Sequence, residues 1–256
     1  MDVAAEPNVL RLATTTSVDH SGLLPYLLPD FEKKNGIKVH VIAVGTGKAL
    51  KLGENGDVDA LLVHAPSAER EFMSKGFGEK REEVMSNHFL IAGPERDPAG
   101  LKSCKSAGQA MKRLADGLAT FVSRGDDSGT HKKELELWKL VATKPDGDWY
   151  WEVGRGMGPT LLMASEKAAY VLSDRGTFLS MKKKLNLAVC FEGDDSFLNV
   201  YSVISANPAR HPKVRHSLAK KFLSWMASKE AQKAIASFIV EGEALFHPLK
   251  KKGNKR

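Results

Sequence analysis

Cysteine is nearly missing. The 256 residues hold two, Cys104 and Cys190, in no CxxC pair and no metal-ligand spacing, which excludes a zinc ribbon or a disulfide framework. A bridge across the fold and two free thiols both stay open. Long apolar runs are also lacking. The longest stretch without a charged residue is 196–209, 14 residues that include serine, asparagine and proline, too short and too polar for a membrane span. With 42% hydrophobic and 27% charged residues the composition is that of a globular chain, and its length allows one large domain or two modest ones. The net charge is +7, but five of the positive charges are Lys250, Lys251, Lys252, Lys255 and Arg256. That tail reads as a solvated, frayed end, and no basic stripe with interleaved aromatics argues for nucleic acid. The opening MDVAAEPNVL has no basic region followed by an apolar core, so it is not an intact signal peptide. A cytoplasmic protein and a mature secreted chain with an added Met1 both fit it.

Familiar catalytic motifs are absent too. Gly47-Lys48 is not a P-loop, because Ile42 and Ala49 occupy its first glycine and final hydroxyl positions. Gly45-Thr46-Gly47 and Gly154-Arg155-Gly156 fail as dinucleotide fingerprints at Leu50 and Pro159. There is no GxSxG elbow, and the eight histidines form no HExxH pair. His64 and His88 read as structural, and Asp194-Asp195 as a turn rather than a cation site.

What is present is an alternation of strands and helices. Residues 8–13, 38–44 and 58–63 read as strands, each ending in small or hydroxyl residues before a helical pattern. The first such helix carries Leu23, Leu24, Leu27, Leu28 and Phe31 on one face, with Pro25 in its first turn and Pro29 expected to kink or shorten it. Strands are also expected at 89–92, 118–123, 149–153, 168–172, 187–191 and 199–205. Helices are expected at 68–75, 107–114, 131–142, 160–167, 173–183, 212–228 and 229–239. The 131–142 pattern takes Leu135, Trp138, Leu140 and Val141 as its apolar residues. This is an α/β fold with parallel strands. A second block, 93–198, sits between Gly93-Pro94 and Gly193-Asp194-Asp195, as if inserted into a first block made of 1–92 and 199–256.

Three hydroxyl-rich turns precede helices. Ser123-Arg124-Gly125-Asp126-Asp127-Ser128-Gly129-Thr130 combines helix N-terminal N–H groups, hydroxyls and a guanidinium, the parts of an anion site. Thr14-Thr15-Thr16-Ser17 and Gly45-Thr46-Gly47 repeat the pattern. Each alone also reads as a capped turn. Three at the carboxyl ends of strands, where such sheets bind ligands, favour an oxyanion. His131 is either a further donor or solvent-facing. Met157-Gly158-Pro159-Thr160 and Ser173-Asp174-Arg175-Gly176-Thr177 are secondary candidates. No third residue orients His131 or Asp127 for catalysis, so the chain is not expected to be an enzyme.

The ordered set Thr14-Thr15-Thr16-Ser17, Val63-His64-Ala65-Pro66-Ser67-Ala68-Glu69, Ser123-Arg124-Gly125-Asp126 with Ser128-Gly129-Thr130, Glu166-Lys167-Ala168-Ala169-Tyr170 and Thr177 resembles the TupA-type tungstate-binding proteins, over roughly Val9 to Leu249. That resemblance implies a two-lobed periplasmic-binding-protein fold of type II, with two crossover segments and the ligand in the interdomain cleft. It implies a monomeric receptor in the periplasm or otherwise outside the cytoplasm, with the signal peptide removed. The receptor would bind tungstate, with molybdate a second ligand, and deliver it to an ABC permease and, through that, an ATPase subunit. No cofactor, resident metal, nucleic acid or membrane insertion is implied. Tungstate is a fully deprotonated tetrahedral dianion, so its site needs donors only. Thr15, Thr16, Ser17, Thr46, Arg124, Ser128, Gly129 and Thr130 are the expected donors. Asp126 and Asp127 are expected to orient Arg124 or cap the helix. Were either to face the ligand, a phosphate receptor would gain. Phosphate or sulfate receptors, and an enzyme acting on an anionic substrate, are the alternatives.

Overall fold

The computed structural model describes residues 8–240 and 242–249. The basic tail and the opening residues 1–7 lie outside them. In chain order the first half runs β1 (Val9–Thr15), α1 (Thr16–His20), α2 (Leu23–Asn35), β2 (Lys38–Val44), α3 (Thr46–Asn55), β3 (Ala60–Val63), α4 (Pro66–Ser74), β4 (Gly78–Gly93), α5 (Ala107–Asp116), β5 (Phe121–Ser123) and α6 (Gly129–Leu140). The rest is β6 (Tyr150–Glu152), α7 (Met157–Glu166), β7 (Val171–Asp174), α8 (Arg175–Met181), β8 (Ala188–Phe191), β9 (Leu198–Ala206), α9 (His216–Met226), α10 (Lys229–Ala236), β10 (Ile239–Val240), β11 (Glu243–Ala244) and β12 (His247–Pro248).

These elements form two compact units. Of the described residues, the first holds 8–85, 200–238 and 246–249; the second holds 86–199, 239–240 and 242–245. The divisions differ from the 92/93 and 198/199 boundaries read from the sequence. Gly93-Pro94 does end a strand, but that strand is β4, which runs unbroken for 16 residues and passes from one unit into the other. Its last residues, Phe89 to Gly93, pair antiparallel with β7 and β8 of the second unit. Ile239–Leu245 joins that unit because Arg175 of α8 grips Glu243, with Nη2 2.6 Å from a carboxylate oxygen. The expected helix over 229–239 accordingly stops at Ala236, and a short β10–β11 hairpin follows. The sequence reading of β4 was confined to 89–92 because Glu79-Lys80-Arg81-Glu82-Glu83 has no apolar alternation to register.

In the first unit β1 is flanked by two parallel neighbours. Thr15 lies opposite Val44 of β2, and Thr14 opposite Leu62 of β3. The three strands therefore end together, and β9 adds antiparallel to β3. All four residues of β3 are buried, as expected of a strand covered on both faces. Helix α2 packs Leu23, Leu24, Leu27, Leu28 and Phe31 inward, and it continues through Pro29 to Asn35 instead of breaking. Pro29 sits on the exposed side, and apolar burial on both sides of it offsets the missing bond. Gly36, at φ 63°, supplies the left-handed stop and returns its N–H to Glu32. Buried Asp59 knits this unit: Arg11 grips both its oxygens, and the backbone N–H groups of Arg11 and Arg215 donate to it.

In the second unit β5 and β6 pair in parallel from Phe121↔Tyr150 to Ser123↔Glu152, and Phe121 bridges to Tyr170. The core gathers Phe121, Leu137, Trp138, Tyr170 and Leu172 with Ala110, Met111 and Leu114 of α5. Helix α6 buries Glu134, Leu137 and Trp138, whereas Leu135 and Leu140 are exposed. Trp138 and Val141 pack as the apolar spacing implies, while Leu135 and Leu140 yield their place to Glu134 and Leu137, because a carboxylate occupies a core position. Both cysteines are free thiols. Cys190 is pushed up to about 12 by burial.

Candidate functional site

In the first unit the common end of β1, β2 and β3 collects Thr15, Thr16, Ser17, Thr46 and His64. Thr15 is the N-cap of α1, its hydroxyl accepting from the Val18 N–H at 3.4 Å. The Thr15 and Ser17 hydroxyls are 3.1 Å apart, and Ser17 Oγ is 3.3 Å from His64 Nε2. His64 is buried and stacks on Tyr201 with ring centres 4.6 Å apart. It is the structural histidine expected, and it also braces the hydroxyl turn, a contact between residues 47 apart that no local pattern signals. Thr46 opens α3 after Gly45, which has no capping side chain. The Thr46 hydroxyl is buried and has no hydrogen-bond partner among the described residues. A buried polar atom of this kind normally has one.

In the second unit the loop after β5 carries the other group. Arg124 is buried, its Nη2 2.6 Å from Asp126 Oδ2. Ser128 N–H donates to Asp126 Oδ1 at 3.3 Å, and the Ser128 hydroxyl bonds the same carboxylate while accepting from the His131 N–H as the N-cap of α6. Burial alone would raise the Asp126 pKa. The bonds from Ser128 and Arg124 and the guanidinium charge outweigh burial and hold it below the ordinary carboxylate range. Gly129 and Thr130, the first two residues of α6, are buried. Arg124 Nε and the Thr130 hydroxyl are buried without a hydrogen-bond partner among the described residues. Asp127 is turned outward to Lys132 with φ 55°. Its N–H donates to His131 Nδ1 at 3.1 Å, which leaves the ring proton on Nε2. His131 is half-buried, not solvent-facing, and Nε2 lies 3.9 Å from a Glu152 carboxylate oxygen. The neighbouring glycine turn is tied to this loop, since Gly154 N–H donates to the Arg124 carbonyl at 2.8 Å.

The secondary candidates are occupied locally. The Thr160 hydroxyl donates to the Gly156 and Arg155 carbonyls, and Asp174 accepts from the N–H and hydroxyl of Thr177. Each unit thus carries one set of expected donors. Thr15, Thr16, Ser17 and Thr46 gather in the first, and Arg124, Ser128, Gly129 and Thr130 in the second. Among the described residues no group of three or more His, Cys, Asp or Glu side chains is arranged to hold a metal ion, and no helix is long and apolar enough to cross a membrane. The chemistry on offer is anion recognition by hydroxyls, N–H groups and one guanidinium.

A strand–helix fold in two units, with donor-rich turns at strand ends and helix starts, is the pattern of a ligand-receiving protein. The chain belongs to the PBP superfamily, whose domain model matches residues 2–230. Within it, the chain falls in the TupA family. It is 48% identical over 241 residues to the tungstate-binding protein TupA of Peptoclostridium acidaminophilum, covering 93% of this chain and 84% of that one. Two solved structures are similar. The tungstate-binding protein TupA from Desulfovibrio alaskensis G20 has a TM-score of 0.85 at 48% identity, over 95% of this chain and 99% of that one. The tungstate ABC transporter from Geobacter sulfurreducens has a TM-score of 0.83 at 50% identity, over 90% and 98%.

Proposed function

We propose that this chain is an extracytoplasmic receptor that binds tungstate and hands it to an ABC permease. The observation that carries the reading is that, of the expected donors, the Thr46 and Thr130 hydroxyls and Arg124 Nε are buried with no hydrogen-bond partner among the described residues. Unsatisfied buried donors cost roughly 1–3 kcal/mol each. An anion that accepts from a donor of this kind removes that donor's cost. We assign Thr15, Thr16, Ser17, Thr46, Arg124, Gly129 and Thr130 as donors to the anion. Ser128 has a shared role, its hydroxyl proton disputed between Asp126 and the ligand. Asp126 is engaged by Arg124 and Ser128, so this carboxylate is occupied rather than waiting for a protonated ligand, which favours a bare dianion over hydrogen phosphate. The names of the relatives support tungstate within that class. Molybdate, of nearly equal size and charge, is assigned as a second ligand. A monomeric receptor without catalytic activity, working with a permease and an ATPase subunit, completes the proposal.

A thermal-shift panel with tungstate, molybdate, sulfate, phosphate and vanadate, followed by calorimetry, tests it. At a thousandfold excess over Kd a native-state ligand adds about 4 kcal/mol, a rise of roughly 8–16 °C for a chain of this size. A large shift with tungstate and none with sulfate or phosphate is expected. A shift with phosphate alone would hand the site to a hydrogen-phosphate receptor and overturn the assignment.

A further inference from the structure

Glu134 is 1% exposed and sits on α6 four residues beyond Thr130, one helical turn from the donor end of that helix. A carboxylate so buried ordinarily has a cation for company. This one is held by uncharged donors: Tyr150 Oη at 2.6 Å, Trp138 Nε1 at 3.3 Å and the Ser123 hydroxyl. The titratable groups acting on it are Tyr150 and Glu152, both from β6, and Glu152 repels it. From α5 and β7 come apolar neighbours of the same core, Met111, Leu114 and Leu172. Burial, only partly opposed by the bonds from Tyr150, Ser123 and Trp138, pushes Glu134 up to about 7. The cluster also touches the donor loop, because Ser123 Oγ accepts from the Gly125 N–H at 3.2 Å, next to Arg124.

A dianion received at Arg124, Gly129 and Thr130 and an ionised carboxylate one turn below repel each other through a poorly screened interior. The protein can relieve that repulsion by moving one proton from water to the carboxylate.

We infer that Glu134 links anion binding to proton uptake: the receptor binds its oxyanion most tightly with the Glu134 carboxyl neutral, and its affinity falls as that carboxyl ionises. The inference rests on the oxyanion reading of this unit. The sign follows directly. A bound dianion favours the neutral carboxyl, so binding takes up protons, and by linkage a lower pH tightens binding. For a dianion and a single charge roughly 10 Å apart, Coulomb's law gives about fourfold at the dielectric of water and a few hundredfold at an effective value near 20, and about tenfold between the two charge states is taken from the screened end of that range.

The test is titration calorimetry of the full chain with micromolar tungstate, repeated with molybdate. It is run at pH 6, 7 and 8, each in two buffers of different ionisation enthalpy. For the unaltered protein, Kd is expected to rise about fivefold from pH 6 to pH 8, and the observed heat at pH 7 and 8 to depend on the buffer. Glu134→Gln mimics the neutral carboxyl. It is expected to bind about fivefold more tightly than the unaltered protein at pH 8, with no pH slope and no buffer dependence. Tyr150→Phe removes one bond that favours the ionised form and is expected to move the midpoint of the linkage to higher pH, which keeps the idea testable should the glutamine variant not fold. Binding with equal heat in both buffers and a flat Kd would overturn the inference while leaving the receptor intact. A linkage that persists in Glu134→Gln would also overturn it, placing the proton elsewhere, with His131 first in line. No heat with either oxyanion at any pH would overturn both this inference and the receptor reading.

Discussion

Replacing Thr46 or Thr130 by valine should move stability and affinity in opposite directions. Both hydroxyls are buried at about 1% exposure and unpartnered, so in the free protein each is a desolvated donor with nothing to receive it. Valine has nearly the same shape and an equal helix propensity. Relief of the unsatisfied group is worth roughly 1–3 kcal/mol, and a methyl packed where a hydroxyl stood returns part of that. A net gain of about 1 kcal/mol per site, a rise of roughly 2–4 °C, is expected without ligand. Binding loses a hydrogen bond to a charged acceptor, about 1.5–3 kcal/mol, so Kd should rise about 10- to 150-fold. Thr46→Ser, which keeps the hydroxyl, should bind like the original. If the two hydroxyls donate independently, the double valine variant should lose the sum of the two binding terms. Thermal unfolding without ligand and calorimetry with tungstate read the two quantities separately. A valine variant that unfolds at lower temperature and binds tungstate unchanged would refute the reasoning and make the hydroxyl a structural one.

Arg124→Ala should weaken tungstate binding by at least tenfold, since it removes a charge-assisted donor and leaves Asp126 uncompensated. Adding Asp126→Ala should recover part of that loss, and calorimetry on the four members of the cycle measures the coupling. Stability without ligand should fall as pH rises from about 4.5 to about 7. Glu134 is raised in the fold from 4.5 to about 7, so its contribution is fully present below the unfolded value and is lost as pH passes the folded one, about 3 kcal/mol in all; denaturant titrations across that window check it, with Glu134→Gln removing most of the slope. Gly93→Ala should cost roughly 1–3 kcal/mol, because a Cβ there meets the buried Tyr170 ring, which its bonds to Asp97 and the Ala99 N–H hold in place; an unchanged melting temperature would contradict the packing.

Much of the architecture was legible locally. Strands ending in hydroxyls before helices announced β1–α1, β2–α3 and β5–α6, and the apolar spacing of Leu23 to Phe31 announced α2. Failures came where distant residues decide. The charged stretch Glu79–Glu83 became five residues of a 16-residue strand, because hydrogen bonds to neighbouring strands, not an apolar face, hold it extended. Pro29 did not end α2, and of the apolar residues of α6 Leu135 and Leu140 face outward while Trp138 and Val141 pack inward. The core there accepts Glu134, which only Tyr150, Trp138 and Ser123 make tolerable.

The amino-acid sequence by itself determined the kind of site: hydroxyls, backbone N–H groups and one arginine at helix starts supply an excess of donors, and donor chemistry is a property of residue type and local spacing. The tertiary structure decided which of those donors are free. Asp126 takes up one edge of Arg124 and the protons of Ser128, while the Thr46 and Thr130 hydroxyls and Arg124 Nε are left without hydrogen-bond partners among the described residues. It also decided that a carboxylate lies buried one turn beneath the donor end of α6. Partnering and burial depend on residues far apart in the chain arriving at one place, and local pattern carries no record of that.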